Sequence, residues 1–244
     1  MKKLLLLTGF GLLSYAALAQ SSRPLQGARA EQNLQAIGDP NNLTGVVQTY
    51  DNRYEGIKGS PYFLPQWGKG KIAAGKTIYD NIDMNYNVYE NNIIYRRKDG
   101  SPYILGPDQI EYFELQDSTG QRSYTFKRLP ALAAQDAKLA SQFGVVLFEG
   151  KVTSFIAMPE KSILKADYKG GYSSGRNYDE FLSGQSYYLV GPGSAVQKVK
   201  LSKRNLLKAL QDKDKQVEQY LKAENIDAGT EQGWAKALAF YETL

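Results

Sequence analysis

An alternation of apolar and polar side chains over residues 77–89 constrains this chain most strongly, because only a β-strand has a period of two. The even-numbered positions carry the apolar residues Ile78, Ile82, Met84, Tyr86 and Val88. The odd-numbered positions are mostly Asn, Asp and Thr, and they also include Tyr79 and Tyr89. We therefore expect the first set to face a core and the second set to face water.

Turn signals divide the neighbouring sequence into further short apolar segments. Asp99-Gly100 is a strong hairpin signal, and Glu149-Gly150 is a second candidate. Between such turns lie apolar segments at residues 93–97, 109–115, 122–128, 145–148, 151–158, 163–168, 186–190 and 195–201. This spacing predicts roughly ten strands in an antiparallel β-meander, curved into a sandwich or a partly open barrel, within a β-rich domain at residues 46–201.

Helical patterns interrupt and follow this domain, which makes the chain mainly β with an α appendage. Residues 129–142 are rich in Ala and predict a short helix. In the C-terminal segment, residues 202–244, apolar side chains recur every three or four positions. Ser202, Asp212 and Thr230 can each cap a helix there, so we expect three short helices packed on the sheet.

Four other segments differ in composition. Residues 20–45 are polar and small, which predicts a flexible or loosely helical leader. Residues 169–184 combine glycines with aromatic residues and predict a long, mobile loop. Residues 59–65 and 100–107 carry nearly the same Gly-Ser-Pro-Tyr phrase, which we interpret as a turn followed by a strand whose first residue lacks an amide donor.

The first 19 residues have the order of a secretory signal peptide: Lys2 and Lys3, an apolar run, then Ala17-Leu18-Ala19. The apolar run is shorter than the about 20 residues that span a bilayer. Cleavage would leave no transmembrane segment and would lower the formal charge from +5 to +3, because Lys2 and Lys3 are removed. We expect export to the periplasm or the medium, and no binding of nucleic acid.

The chain contains no His and no Cys. This excludes His-dependent and Cys-dependent nucleophile systems, zinc sites of the usual kind and disulfides, and we expect neither a metal nor a cofactor. Two enzymatic routes remain, a carboxylate pair and a Ser-Lys pair. The acidic candidates are Asp80, Asp83, Glu111 and Glu114, which alternate between strand faces. The Ser-Lys candidates Ser202-Lys203, Ser60 with Lys58, and Lys161-Ser162 lack a Ser-x-x-Lys spacing.

Several phrases together resemble a family of uncharacterised exported proteins of Bacteroidota. They are Gly59-Ser60-Pro61-Tyr62, Trp67-Gly68, Met84-Asn85-Tyr86-Asn87 before Tyr89, Ile110 with Phe113, and Leu201-Ser202-Lys203. The resemblance extends over nearly the whole chain after the signal peptide. It implies an envelope or secreted protein of unknown biochemical role, and it transfers no catalytic residue to this chain.

The aromatic content, with 18 Tyr and two Trp, suggests binding rather than catalysis. Tyr62, Trp67, Tyr172 and Tyr178 are the candidate ligand-binding residues. Tyr62 and Trp67 form one aromatic segment, followed by Gly68 and Gly70. Tyr172 and Tyr178 form the other, preceded by Gly170-Gly171. These glycines would let both segments change conformation when a ligand binds. We therefore expect an exported, non-catalytic binding or interaction module for an envelope protein, polysaccharide or lipid. The alternatives are a lipocalin-like carrier and, as the less favoured alternative, a carboxylate-dependent hydrolase.

Overall fold

The computed structural model describes residues 24–38, 54–134, 136–167, 176–191 and 195–244. The predicted signal peptide, at residues 1–19, lies outside these ranges, as does much of the predicted leader. Within the described ranges, no helix is both long and apolar enough to cross a membrane.

Ten strands form a single open sheet in which all neighbouring strands run antiparallel. The strands are β1 (Gly68–Ala74), β2 (Thr77–Asn87), β3 (Asn92–Arg96), β4 (Pro102–Leu105), β5 (Tyr112–Gln116), β6 (Ser123–Arg128), β7 (Phe143–Glu149), β8 (Ser154–Leu164), β9 (Glu180–Val190) and β10 (Val196–Val199). Their spatial order is β10-β9-β8-β7-β6-β5-β1-β2-β3-β4. The prediction of a mainly β, antiparallel fold is confirmed, and the sheet is open.

A cluster of aromatic rings fills the main core. Phe113 and Phe126, on adjacent strands, stack with ring centroids 4.4 Å apart. Tyr86 and Phe143 pack against Phe113 at 5.4 and 5.0 Å. All four rings have almost no exposed surface. Offset and edge-to-face ring pairs add to the hydrophobic stabilisation, so these contacts hold β2 against β5, β6 and β7.

The predicted burial of Ile82, Met84, Tyr86 and Val88 is correct, whereas the predicted alternation is wrong before Ile82. Tyr79 is 2% exposed, although we expected it to face water, whereas Ile78 is only partly buried. The pairing with β1 shifts between Gly70 and Ile72, opposite Asn81, whose φ is 58°. The extra residue in such a bulge shifts the alternation by one position, so side chains on the two sides of the bulge follow opposite patterns of burial. Asn81 can occupy this position because Asn tolerates a positive φ better than most residues.

Two asparagines on the predicted wet face of β2 are buried instead. Asn85 is 5% exposed and Asn87 is fully buried, because residues 61–66 cover that face. The Asn85 side-chain amide donates to the carbonyls of Leu64 and Gln66, at 2.9 and 3.2 Å. Its oxygen accepts from the Leu64 amide at 3.2 Å. Asn85 therefore supplies the hydrogen bonds that a neighbouring strand would otherwise make.

Part of the predicted leader is ordered and packed. Helix α1 (Gly27–Gly38) buries Ala30 and Leu34 completely against the sheet. Just before it, Leu25 exchanges backbone hydrogen bonds with Ile78 and Asp80, at 2.7 and 2.9 Å. Of the two predicted forms of the leader, flexible or loosely helical, residues 27–38 take the helical one, and two apolar side chains of this helix pack on the core.

Residues 129–142 form a 3-10 helix (Pro130–Ala134) and a short α2 (Ala137–Ser141), in place of the single helix we expected. The three predicted C-terminal helices are present: α3 (Lys203–Ala209), α4 (Asp214–Ala223) and α5 (Glu231–Tyr241). Ser202 and Thr230 cap α3 and α5 as expected. Asp212 does not cap α4, and instead accepts a hydrogen bond from the Tyr241 hydroxyl at 3.1 Å.

The C-terminal helices share one buried apolar cluster with Phe155 of β8 and Leu189 of β9. Trp234 is fully buried and stacks on Phe155 of β8, with centroids 5.3 Å apart. Its indole nitrogen donates to the Ala228 carbonyl at 2.8 Å, which satisfies the polar atom inside the core. The expected packing of this segment on the β domain is therefore observed.

Candidate ligand-binding cleft

Trp67 lies at the entry to β1 and is half-buried. The guanidinium carbon of Arg96, at the end of β3, stands 4.5 Å from the centroid of the Trp67 ring. This is a cation-π contact between neighbouring parts of the sheet. One face of the Trp67 ring is thus occupied by the protein itself.

Tyr62 and Tyr178 lie in different surroundings from Trp67. Tyr62 is half-buried and forms an isolated bridge with Asn87 of β2. Tyr178 is 38% exposed, and its hydroxyl accepts a hydrogen bond from the Lys58 ammonium at 3.5 Å. Tyr172 lies outside the described residues. The segment containing Lys58 and the residues just before β9 do lie side by side, since the Lys58 amide donates to the Asp179 carbonyl at 2.9 Å.

The two glycines that we expected to make the Trp67 segment adaptable are fixed within β1. A side chain on Gly68 would overlap the carbonyl oxygen of Gln116, and one on Gly70 would overlap Met84. Both glycines therefore permit close approach of neighbouring strands, which is a packing role and not a hinge.

Strands β8 and β9 extend beyond their other neighbours as a two-stranded ribbon. The pairing of β7 with β8 ends at Ala157, and that of β10 with β9 ends at Tyr187. The β8-β9 ladder continues to the pair Leu164↔Glu180. The loop predicted over residues 169–184 is therefore wrong for residues 180–184, which belong to β9.

A cleft of about 450 Å³ lies between this ribbon, α2 and the end of β2. Its apolar surface comes from Tyr188, Leu139 and Leu182, and Lys138, Lys161 and Lys198 are among its lining residues. The strand register places the Lys161 side chain with Ser183, on the face of the ribbon opposite Leu182 and Tyr188. Tyr188 is buried and packs beside Met158 and Leu139, so it forms a fixed part of the wall. The cleft combines a firm apolar wall with several charged groups, which is the usual composition of a ligand site.

The three lysines of the cleft lack carboxylate partners. Within the described ranges, no Asp or Glu oxygen lies within 4.0 Å of their ammonium nitrogens, whereas Lys127 and Lys165 each form an ion pair elsewhere on the surface. The Lys161 ammonium donates to the Ser183 hydroxyl at 2.8 Å, and burial lowers the pKa of Lys161. The charged form of a partly desolvated ammonium without a counter-ion is stabilised when an anion binds beside it.

The two carboxylates of the cleft are occupied by local hydrogen bonds. Asp136 caps α2 by accepting from the backbone amides of Lys138 and Leu139, at 2.8 and 3.3 Å. Glu160 accepts from the Ser186 hydroxyl at 2.6 Å. Neither carboxylate forms an ion pair with the lysines in the described ranges, and the three lysines and two carboxylates of the lining leave a formal excess charge of +1.

Two of the four acidic residues considered for hydrolysis form ion pairs. Asp83 pairs with Lys69 at 2.7 Å and Glu114 pairs with Lys71 at 3.1 Å, across adjacent strands. In the part of the chain that the structure describes, no group of three or more acidic side chains could hold a metal ion.

Sequence reasoning missed the cleft. It considered Lys161 beside Ser162, its neighbour in the chain, whereas the strand register brings Lys161 opposite Ser183. No local pattern marks a pair that is 22 positions apart. Comparison with known proteins adds no assignment: no family model, curated protein or solved structure matches this chain.

Proposed function

We propose that the protein is an exported, non-catalytic binding module whose cleft holds an anionic ligand. The observation that carries this proposal is the excess of lysines in the cleft lining: Lys138, Lys161 and Lys198 outnumber Asp136 and Glu160, and none of the three forms an ion pair in the described structure. An anion would replace part of the hydration that burial removes from Lys161. The N-terminal export pattern and the resemblance to exported Bacteroidota proteins support an envelope or extracellular setting.

The ligand would also present an apolar or ring-shaped face. Leu182 is 42% exposed at the rim of the cleft, and Tyr188 forms its wall. The Lys198 ammonium lies 5.9 Å from the centroid of the Tyr188 ring, so charge and aromatic surface are adjacent. A uronic acid residue of a polysaccharide and a phosphorylated lipid headgroup both combine these features.

A lumen inside the sheet, as in the carrier alternative, has less support. The rings of Tyr86, Phe113, Phe126 and Phe143 belong to the main buried core of the sheet and pack directly against one another. A lipocalin-like ligand would have to displace this core, whereas the cleft is open at the surface.

Binding is tested by titrating the protein with four probes: oligogalacturonate, neutral maltoheptaose, vesicles with phosphatidylglycerol and vesicles without it. We expect oligogalacturonate or the anionic vesicles to bind, with affinity that falls as salt is added, and the neutral probes to be inactive. The two anionic probes distinguish a glycan from a lipid. Absence of binding to both anionic probes, or equal binding of the neutral ones, would overturn the proposal.

A charge-matched pair of variants locates the site. Lys138→Ala with Lys161→Ala and Lys198→Ala should weaken binding at least about tenfold, which corresponds to about 1.4 kcal/mol. The control removes three exposed lysines from the C-terminal helices, namely Lys208, Lys215 and Lys236, and changes the net charge equally. If both triple variants bind alike, the interaction depends on net charge and not on the cleft.

A further inference from the structure

A second pocket lies between α1 and the turn that joins β3 to β4. Its volume is about 230 Å³, and its lining includes Glu31, Tyr95, Arg97 and Lys98. A water molecule occupies about 30 Å³ in the liquid, so the pocket has room for a ligand of roughly six to eight non-hydrogen atoms. This pocket shares no lining residue with the cleft of the proposed function.

The pocket contains buried polar atoms without hydrogen-bond partners. Tyr95 is 1% exposed, and in the described part of the chain neither its hydroxyl oxygen nor Nε of Arg97 makes a hydrogen bond of acceptable geometry. Burial raises the pKa of the Tyr95 hydroxyl, and the charges of Arg97 and Glu31 also act on it, so this hydroxyl lies among the charged groups of the pocket. Buried polar atoms are normally paired, so these two call for a ligand.

Two opposite charges in the pocket are not paired with each other. Within the described ranges, neither Arg97 nor Glu31 forms an ion pair, whereas Lys69 and Asp83, which also line the pocket, lie 2.7 Å apart. The pocket therefore holds a guanidinium and a carboxylate that can each bind a group of opposite charge on a ligand.

Local contacts fix both charged side chains and leave part of each one available. The guanidinium carbon of Arg97 lies 4.7 Å from the centroid of the Tyr103 ring, and the Arg97 amide donates to the Ser101 carbonyl at 2.9 Å. A guanidinium that stacks on a ring keeps its edge N–H groups for a carboxylate. One carboxylate oxygen of Glu31 accepts from the Lys98 amide at 3.2 Å, so the other oxygen remains for a ligand.

From these groups we infer that the pocket binds a small zwitterion of the α-amino acid class. The ligand carboxylate accepts hydrogen bonds from Arg97 and from the Tyr95 hydroxyl, and the ligand ammonium donates to Glu31. A ligand with a carboxylate alone meets the like charge of Glu31, and a ligand with an ammonium alone meets that of Arg97. Alanine, which carries both groups on a small skeleton, fits the size of the pocket.

Titration of the protein with L-alanine, acetate and methylammonium, followed by NMR, tests this inference. We expect alanine to bind and to shift the amide resonances of Glu31, Arg97 and Lys98. Acetate and methylammonium should bind at least about tenfold more weakly, because each carries only one of the two charges. Absence of alanine binding would mean that water alone satisfies the buried atoms, and this result, or equal binding of either single-charge probe, would overturn the inference.

Conservative variants locate the binding groups. Tyr95→Phe removes only the hydroxyl and should remain folded, because that hydroxyl makes no hydrogen bond in the described structure. Arg97→Lys keeps the charge and removes the planar fork. Each variant should weaken alanine binding at least about fivefold. Arg122→Lys, at an exposed position in the turn between β5 and β6, is the control and should bind alanine as the parent does. Unchanged affinity in both pocket variants contradicts the inference.

The pocket and the cleft can be tested separately. The cleft variant that replaces Lys138, Lys161 and Lys198 by Ala should bind alanine with unchanged affinity. Tyr95→Phe should leave the binding of oligogalacturonate or anionic vesicles unchanged. Loss of alanine binding in the cleft variant would place the amino acid in the cleft, and the inference about the second pocket would then be wrong.

Discussion

The carboxylate of Glu242 lies 2.7 Å from the hydroxyl of Thr153, although the two residues are 89 positions apart in the chain. The same carboxylate accepts from the backbone amides of Lys151, Val152 and Thr153, at distances from 2.8 to 3.3 Å. The end of α5 is therefore fastened to the β7-β8 turn by hydrogen bonds to one negative charge, which are stronger than neutral ones.

Replacing Glu242 by Gln should destabilise the protein by about 1 to 2 kcal/mol, because the charge-assisted acceptor is lost while the site stays partly exposed to water. Urea unfolding measures this change. Glu224→Gln, at an exposed position beyond α4, is the matched control and should have little effect. Equal stability of Glu242→Gln and the parent protein would show that this contact does not hold the helix.

The contribution of Glu242 should depend on pH. Burial alone would raise the pKa of Glu242, but the hydrogen bonds from Thr153 and the backbone amides outweigh it and lower that pKa below the ordinary value of 4.5. A group with a lowered folded-state pKa stabilises above its unfolded pKa and loses that effect as pH falls through the folded one. The stability difference between the parent and Glu242→Gln should therefore be full at pH 7 and shrink below about pH 4.5.

Gly68→Ala should destabilise the sheet by about 1 to 3 kcal/mol, because the new methyl group would overlap the Gln116 carbonyl on β5. Gly106→Ala is the control, since Gly106 has extended backbone angles and open space around it. Thermal unfolding of the two variants makes the comparison. A Gly68→Ala protein as stable as Gly106→Ala would support the original interpretation of Gly68 as an adaptable joint.

The sequence predicted local structure well wherever one strand or helix carried its own pattern. The burial of Ile82, Met84, Tyr86 and Val88 and the helices capped by Ser202 and Thr230 are examples. It failed at Tyr79, because the bulge at Asn81 is set by the pairing of β2 with β1. Strand β1 itself was missed, since its glycines serve close approach and leave little apolar alternation. The cleft was invisible for a related reason: register and packing bring its lysines together from three separate elements.

The bulge can be tested through the two residues it exchanges. Tyr79→Ala should cost about 3 to 5 kcal/mol, because it removes a fully packed ring from the core. Ile78→Ala should cost clearly less, since Ile78 remains partly exposed. Chemical denaturation of both variants gives the comparison, with Ile82→Ala as a reference expected to cost about 2 to 5 kcal/mol. A larger effect at Ile78 than at Tyr79 would restore the uninterrupted alternation that the sequence suggests.

Asn85 offers the sharpest test of the covered face of β2. Asn85→Ala would leave the carbonyls of Leu64 and Gln66 and the amide of Leu64 without their partner in a buried site. We expect a loss of about 2 to 4 kcal/mol and faster hydrogen exchange of the Leu64 amide, because each unsatisfied buried group carries a desolvation cost. Gln66→Ala removes only an exposed side chain and keeps the Gln66 carbonyl in place, so it should leave both stability and exchange unchanged. If the two variants behave alike, the segment before β1 is held by the packing of Leu64 and Phe63, and the Asn85 hydrogen bonds contribute nothing measurable.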